Sequence, residues 1–378
     1  MSEWKEYRFS DFVNINPSVK IPKKQLVSFV EMKDLTDGQR FCKPSQERFL
    51  SGGSRFENGD TLFARITPCL ENGKICQVKG LKNGIGFGST EFHVFRGKSI
   101  ISDSDFVYYL CRWSDVRDHA EKNFDGTSGR QRVPKQAFDD LYLNLPELSE
   151  QKSIASILSS LDDKIDLLHR QNATLEKMAE TLFRQWFVEE AKEEWEEVEL
   201  EKLIDVVIDN RGKTPPTVDF PTDYPLIEVN ALNSNSCLVD YSVIRKYVNK
   251  ETYDNWFRKH LKVNDIIIST VGTIGVFSIH LVDKGCIAQN LVGLRSNSIS
   301  SYFIYNFFKT NVETLINLDI GGVQPSIKVP HLLGLIIKYP PYELLRKYDE
   351  SVEIYFNKIA KNQTQIRTLT SMRDNLLP

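Results

Sequence analysis

Apolar residues along this 378-residue chain alternate between two regimes, and each regime is used twice. Up to about residue 145 they come in short runs such as "DTLFAR" (60–65) and "EFHVF" (91–95), separated by Gly, Asn and Asp. Runs of that length and punctuation predict strands, while "SDFVYYLCRW" (104–113) predicts a short helix. From Glu147 to Arg211 there is neither Gly nor Pro, and the apolar spacing becomes an alternation of four and three. Ile154, Leu158, Leu161, Ile165, Leu168, Asn172, Leu175, Ala179 and Leu182 follow it. The mixed pattern then resumes with "DIIIST" (265–270), "SYFIYNFFKT" (301–310) and "LGLIIKY" (333–339). A second stretch without Gly or Pro, Tyr342 to Leu377, carries Tyr348, Val352, Tyr355, Ile359, Asn362, Ile366, Leu369, Arg373 and Leu376 at the same spacing. A period of 3.5 residues is that of a coiled coil.

This order reads as a tandem repeat of an α+β domain and a long helix. At an offset of 194 residues, Pro146 meets Pro340, Lys164 and Ile165 meet Lys358 and Ile359, and Gln171 meets Gln365. Leu175, Met178 and Leu182 meet Leu369, Met372 and Leu376. Upstream, "FENGDTLFAR" (56–65) corresponds to "LKVNDIIIST" (261–270), "STEFHVFR" (89–96) to "AQNLVGLR" (288–295), and Val133-Pro134 to Val329-Pro330. The boundaries are 1–147 and 195–341 for the α/β-mixed domains, 148–194 and 342–378 for the helices. Ser149 is placed to cap the first helix, with Glu150 favourable against its dipole. About 40 residues at roughly 1.5 Å each make a rod of about 60 Å. Two matched seams predict that the helices pair with each other, antiparallel and related by a pseudo-two-fold axis. Asn172 and Asn362 are suited to fix their register.

Charge refines this picture. The net value is −3, but residues 148–202 hold 7 Lys and Arg against 14 Asp and Glu, so the excess acid lies in one segment. The remainder is close to neutral, a balance that neither requires nor excludes a nucleic acid. The acidic run "EEAKEEWEEVELE" (189–201) reads as a solvated helix end. The N-terminal "MSEWKEYRFSDF" lacks the apolar core of a secretory signal, and no run approaches the ~20 apolar residues of a membrane span. Six scattered cysteines without a CxxC pair read as reduced, mostly buried thiols, and the compartment as cytoplasmic.

Signatures of catalysis are few. The six histidines do not fall at metal-ligand spacing, and no phosphate-binding glycine loop is present. "YPPY" (339–342) has Tyr339 where an amine-holding amide or carboxylate would be needed, so it reads as a strand exit. Donor-rich loops are more informative. "NFDGTSGRQRVPK" (123–135) gathers Thr127, Ser128, Arg130, Gln131, Arg132 and Lys135, and its counterpart "DIGGVQPSIKVP" (319–330) offers Gln324, Ser326 and Lys328. Arg65 and Lys74, Arg211, Lys213 and Thr214, and Thr273 complete the candidates. Arg and Gln match the edges of guanine and adenine, whereas Ser and Lys suit phosphate.

The stretches "LPELSEQKSIASIL" (145–158), "GGVQPSIKVPHLLGLIIKYPPY" (321–342), "NDIIISTVGTIG" (264–275) and "CIAQNLVGLR" (286–295) resemble the DNA-specificity subunits of type I restriction–modification systems over the whole chain. The resemblance implies two target-recognition domains, each reading one half of a bipartite, asymmetric site in double-stranded DNA, with the helices as a spacer. It implies a chain that is not itself an enzyme and binds no cofactor. Two methyltransferase subunits, using S-adenosylmethionine, and endonuclease/translocase subunits would be its partners, and no membrane is involved. The first copy departs from the family pattern, with "GTSGRQRVP" in place of Gln-Pro-Ser. At the second exit Leu345 stands where the first has Gln151, so Gln151 as a docking face would be unmatched. The competing reading is a coiled-coil scaffold that presents two protein-binding domains and no DNA site.

Overall fold

The strand that opens each mixed region pairs with the strand that closes it. In the computed structural model, which describes residues 4–22, 24–127, 129–210, 212, 214–232 and 236–377, Lys5–Arg8 runs antiparallel to Tyr142–Leu145, with Lys5 opposite Leu145. Glu196–Glu199 runs antiparallel to Ile336–Tyr339, with Glu196 opposite Tyr339. Each ladder ends immediately before a proline, Pro146 or Pro340, which cannot donate to a continuing ladder. A long helix follows in both cases: Leu148–Arg184 and Tyr342–Leu376. The structure divides into two compact units, one formed by residues 1–167 and 366–378, the other by 168–365.

In the first unit a five-stranded sheet has the order Val13–Ile15, Phe92–Gly97, Thr61–Ala64, Ile75–Val78, Phe41–Cys42. A second sheet, ordered Gln46–Phe49, Leu26–Val30, Ile85–Gly88, Ser54–Glu57, stands beside it. The helix Ser104–Arg112 lies where its sequence pattern places it, capped by Asp103, whose carboxylate accepts from the N–H groups of Asp105 and Phe106. Its apolar face joins Phe9, Phe12, Phe63, Phe95 and Phe138 in a core that also takes Ala155 and Leu158 from the long helix. Each such buried aromatic contributes on the order of 2–3 kcal/mol by removing its ring from water.

The second unit repeats the theme with fewer strands: Val206–Asp209, Leu291–Arg295, Ile266–Ser269 and Phe277–Ile279, all antiparallel. The helix Ser301–Thr310 covers this sheet, with Ser300 as its cap. Phe303 packs against Phe183, Phe187 and Tyr348 of the long helices and the turn after the first, with ring centroids 5.0 to 6.4 Å apart. One internal anchor is shared by both units. Arg96 grips Asp60 with Nε at 2.6 Å and Nη2 at 2.7 Å, and Arg295 grips Asp265 at 2.7 and 2.6 Å. Each aspartate also accepts a backbone N–H three residues upstream, from Glu57 or Lys262. The Asp that precedes each buried strand in the sequence is therefore a fastening between strands.

The helices pair antiparallel within each unit. In the second, the buried Asn362 amide donates to Asn172 at 2.8 Å, and Tyr348 reaches the Ala179 carbonyl at 3.5 Å. In the first, Arg373 donates to Asp162 at 2.7 Å, both fully shielded from water. Tyr109 donates to the same carboxylate at 2.7 Å, and Arg373 also holds the Gly38 carbonyl at 2.9 Å. Ile165, Leu168, Val352, Ile359 and Ile366 are buried at seam positions, and Leu161, Leu175, Leu182, Tyr355 and Leu369 are half-buried, whereas Leu158 and Ile154 turn to the core of the first domain.

Four further sequence expectations are corrected. Leu376 is 53% exposed, because the helix ends there, and Leu377 packs on the first core instead. The first helix begins at Leu148, so Ser149 lies inside it and its hydroxyl donates to Glu147 at 2.9 Å rather than capping. Gln151 is no docking face: it is buried, accepting from the Asp103 N–H and donating to the carbonyls of Ile101 and Pro146. Val133 corresponds to Ile327, not Val329, since Val133 N–H donates to the Arg65 carbonyl as Ile327 N–H donates to that of Thr270, both at 2.8 Å.

Candidate nucleic-acid interface

The two donor-rich loops are built on one hydrogen-bond frame. In the first unit Ile66 bridges Arg132, and in the second Val271 bridges Ser326. Thr67 N–H donates to the Gln131 carbonyl at 3.0 Å, and Gly272 N–H to that of Pro325 at 2.9 Å. Arg65 N–H donates to the Glu91 carbonyl, and Thr270 N–H to that of Asn290, both at 3.0 Å. These contacts equate Arg132 with Ser326 and Gln131 with Pro325, and one residue earlier they make Arg130 and Gln324 counterparts. Further back the loops differ, since Asp125 N–H donates to the Arg132 carbonyl whereas Ile320 N–H donates to that of Ser326, both at 3.0 Å.

Different side chains hold the two loops in shape. Arg132 is clamped by Glu91, with Nε at 2.9 and 3.1 Å from the two carboxylate oxygens and Nη2 at 2.8 Å. The guanidinium holds the Glu91 carboxyl below the usual carboxylate range against a smaller opposing effect of burial. Arg132 also donates to the Arg130 carbonyl at 3.3 Å, so it braces the loop from within. In the second loop Asp319 does this work, accepting from the N–H groups of Ser326 and Gly321, both at 2.8 Å. Those two donors hold its carboxyl below the ordinary aspartate range. Gly321 is required for closure, since a Cβ there would lie 1.9 Å from the Gln324 carbonyl oxygen. Gly272 has φ +84°, and a Cβ there would come within 3.2 Å of the Gln324 amide nitrogen.

The remaining candidates are placed unequally. Thr127 and Arg130 are exposed, and the Thr127 carbonyl accepts from Arg130 N–H at 3.1 Å. Gln131 is half-buried and its N–H donates to the Thr67 hydroxyl at 3.2 Å. Lys135 is exposed at the start of the short helix Lys135–Asp139. Lys74 is turned inward, donating to the Met32 carbonyl at 2.8 Å, and Arg65 is half-buried with Nε sealed from solvent. In the second unit Thr214 and Gln324 meet on a cavity of about 500 Å³, although 110 residues separate them. Gln289, Asn290 and Thr217 share its wall, as do Glu228 and Lys246, which neutralise each other at 2.9 Å. Thr273 and Lys328 are exposed, and Ser326 is half-buried in the frame. Ser128, Arg211 and Lys213 lie outside the described residues. Among those described, no group of three or more His, Cys, Asp or Glu could hold a metal ion, and no helix is long and apolar enough to cross a membrane. The cysteines are unpaired, five of the six buried.

Sequence reasoning missed Glu91, Asp319, Gln289 and Asn290. Gln289 and Asn290 stand in the quoted repeat "AQNLVGLR", where their polarity between apolar neighbours was the available signal. The clamp by Glu91 joins residues 41 apart and leaves no local trace.

These features define a protein with two mixed α/β domains, each followed by a long helix, and the chain belongs to the family of type I restriction modification DNA specificity domains, whose pattern it matches over residues 1–177 and 192–369. It is 31% identical over 205 residues to the type I restriction enzyme EcoAI specificity subunit of Escherichia coli, a match covering 51% of this chain and 35% of that subunit. It is 25% identical over 299 residues to the MjaIX specificity subunit of Methanocaldococcus jannaschii, covering 73% of this chain and 67% of that one. The chain thus spans about a third of the Escherichia coli relative's length. Its fold is similar to that of the type I restriction–modification S subunit from M. genitalium, with a TM-score of 0.53 at 14% identity over 99% of this chain and 95% of that one.

Proposed function

We propose that this chain is the sequence-reading, non-catalytic subunit of a type I restriction–modification complex. Each head reads one half of a bipartite, asymmetric site in double-stranded DNA. The observation that carries this is the shared loop frame with unlike side chains: a constant scaffold presents different hydrogen-bonding edges in the two heads. Base edges are distinguished by such donors and acceptors, and phosphate contacts by Lys, Ser and backbone N–H groups position the protein. Thr127, Arg130, Gln131 and Lys135, with Arg65 nearby, serve the first half, and Thr214, Thr273, Gln324, Ser326 and Lys328 the second. Two methyltransferase subunits, where S-adenosylmethionine binds, and endonuclease/translocase subunits complete the assembly. They also supply phosphate contacts that a chain of net charge −3 does not provide by itself.

The test is to co-express the chain with its methyltransferase subunits and measure binding to randomised duplexes. A bipartite motif is expected, and exchanging residues 1–147 for another head should replace one half and leave the other. If no motif is enriched, or if the exchange alters both halves, the reading fails and the scaffold alternative takes its place.

A further inference from the structure

The equivalence of the loops allows a finer assignment, which rests on the DNA-reading role proposed above. We propose that Arg130 and Gln324 are the base-selecting residues at corresponding positions of the two half-sites, Arg130 requiring guanine and Gln324 requiring adenine.

Among the cations of the first loop and its neighbours, Arg130 and Lys135 are exposed, and of these two only Arg130 carries a planar fork of donors. Arg132 is chelated by Glu91, Lys74 is held by the Met32 carbonyl, and Arg65 is half-buried. Arg130 is exposed, and its guanidinium has neither ion pair nor hydrogen bond among the described residues. The brace from Arg132 to the Arg130 carbonyl fixes the backbone from which that free fork projects. A planar guanidinium with two parallel donors matches the O6 and N7 acceptors of guanine.

In the second loop the same backbone position carries an amide. Gln324 is held over Gly272, where a side chain would crowd it, and faces a cavity whose one described cation, Lys246, is neutralised by Glu228. Among the described residues, the other polar side chains on that wall are uncharged: Gln324, Gln289, Asn290, Thr214 and Thr217. An amide offers one donor and one acceptor, the complement of the adenine N7 and N6 pair. The frame thus presents a two-donor fork in one head and a donor–acceptor pair in the other.

The full chain, assembled with its methyltransferase subunits, is tested on duplex libraries randomised in both half-sites. Arg130→Gln should change one guanine position of the first half to adenine, by roughly ten- to a hundredfold in relative preference, and leave the second half untouched. Gln324→Arg should make the reverse change in the second half alone. Arg130→Lys keeps the charge but loses the fork, so the guanine preference should relax while overall affinity persists. Uniform weakening on every sequence by Arg130→Gln would make Arg130 a phosphate contact and overturn the assignment. So would unchanged preferences in both exchanged variants, an outcome that leaves the DNA-reading role standing. A wild-type complex that enriches no bipartite motif would instead remove the role itself.

Discussion

The first recognition loop is braced by a charge pair across the sheet, Arg132 on Glu91, and the second by a carboxylate within its own turn, Asp319 on two backbone N–H groups. Both leave the same backbone bonds in place. The helix fastenings differ in the same manner. Arg373 and Asp162 form a buried ion pair in the first unit, whereas Phe183, Phe187, Phe303 and Tyr348 form an aromatic cluster in the second. The lesson is that the repeat conserves geometry and lets chemistry drift. Backbone hydrogen bonds make no demand on side-chain identity beyond the glycines that let strands and turns approach.

Breaking one fastening should separate the two units most clearly. Arg373→Ala strands the Asp162 carboxylate in the interior, and removal of one partner from a buried pair costs about 3–5 kcal/mol. Amide exchange should accelerate across residues 104–122 and stay unchanged across 301–317. Equal acceleration in both would contradict a clasp confined to one unit. A pH titration asks instead what the units share. Burial lowers the pKa of His93 and of His280 to about 4, so each stays neutral when the unfolded chain, near 6.5, takes up a proton. That stability is full above about pH 6.5 and is lost as pH falls toward 4, by roughly 3 kcal/mol for each histidine. Urea midpoints measured from pH 7.5 to 4.5 should fall for both units, and the variants His93→Gln and His280→Gln should each flatten one contribution. The smallest effect expected is that of Glu91→Gln. Releasing Arg132 adds one free cation to the first head, so binding to all DNA should tighten a few-fold. The slope of log affinity against log salt should steepen by about 0.9. A slope that does not change would mean that Arg132 stays folded against the loop without its carboxylate.

The seams, both long helices and most strands were legible because periodicity is a local property of the chain. Ile165, Leu168, Ile359 and Ile366 occupy the positions their spacing assigns. Leu376 does not, because no following turn remains to cover it. Arg373 fell on the seam, but its partner Asp162 lies one residue beyond Leu161 and was not foreseen; ion pairs between distant segments leave no period. The Val-Pro pairs at 133 and 329 look alike in the sequence, yet the hydrogen-bond frame matches Val133 to Ile327. String likeness and backbone register are separate quantities, and only the second decides which side chains stand at equivalent places. For that reason the sequence could nominate Arg130, Arg132, Gln324 and Ser326 together but could not separate the free group from the braced one.

The ladders Lys5–Arg8 with Tyr142–Leu145 and Glu196–Glu199 with Ile336–Tyr339 have a consequence for inheritance. The chain arrives at a head and departs from it on neighbouring strands, so everything between is a closed excursion. Insertions, deletions or a wholesale foreign segment can alter its content while the two ends stay four residues of ladder apart in register. Under the proposed DNA-reading role, a lineage carrying this chain can therefore acquire a new half-specificity in one recombination event. The junction that must remain compatible comprises the two short strands and the proline, together with each head's contacts to the helices, such as Tyr109 on Asp162 and Gly38 on Arg373 in the first unit and Phe303 on Phe183 in the second.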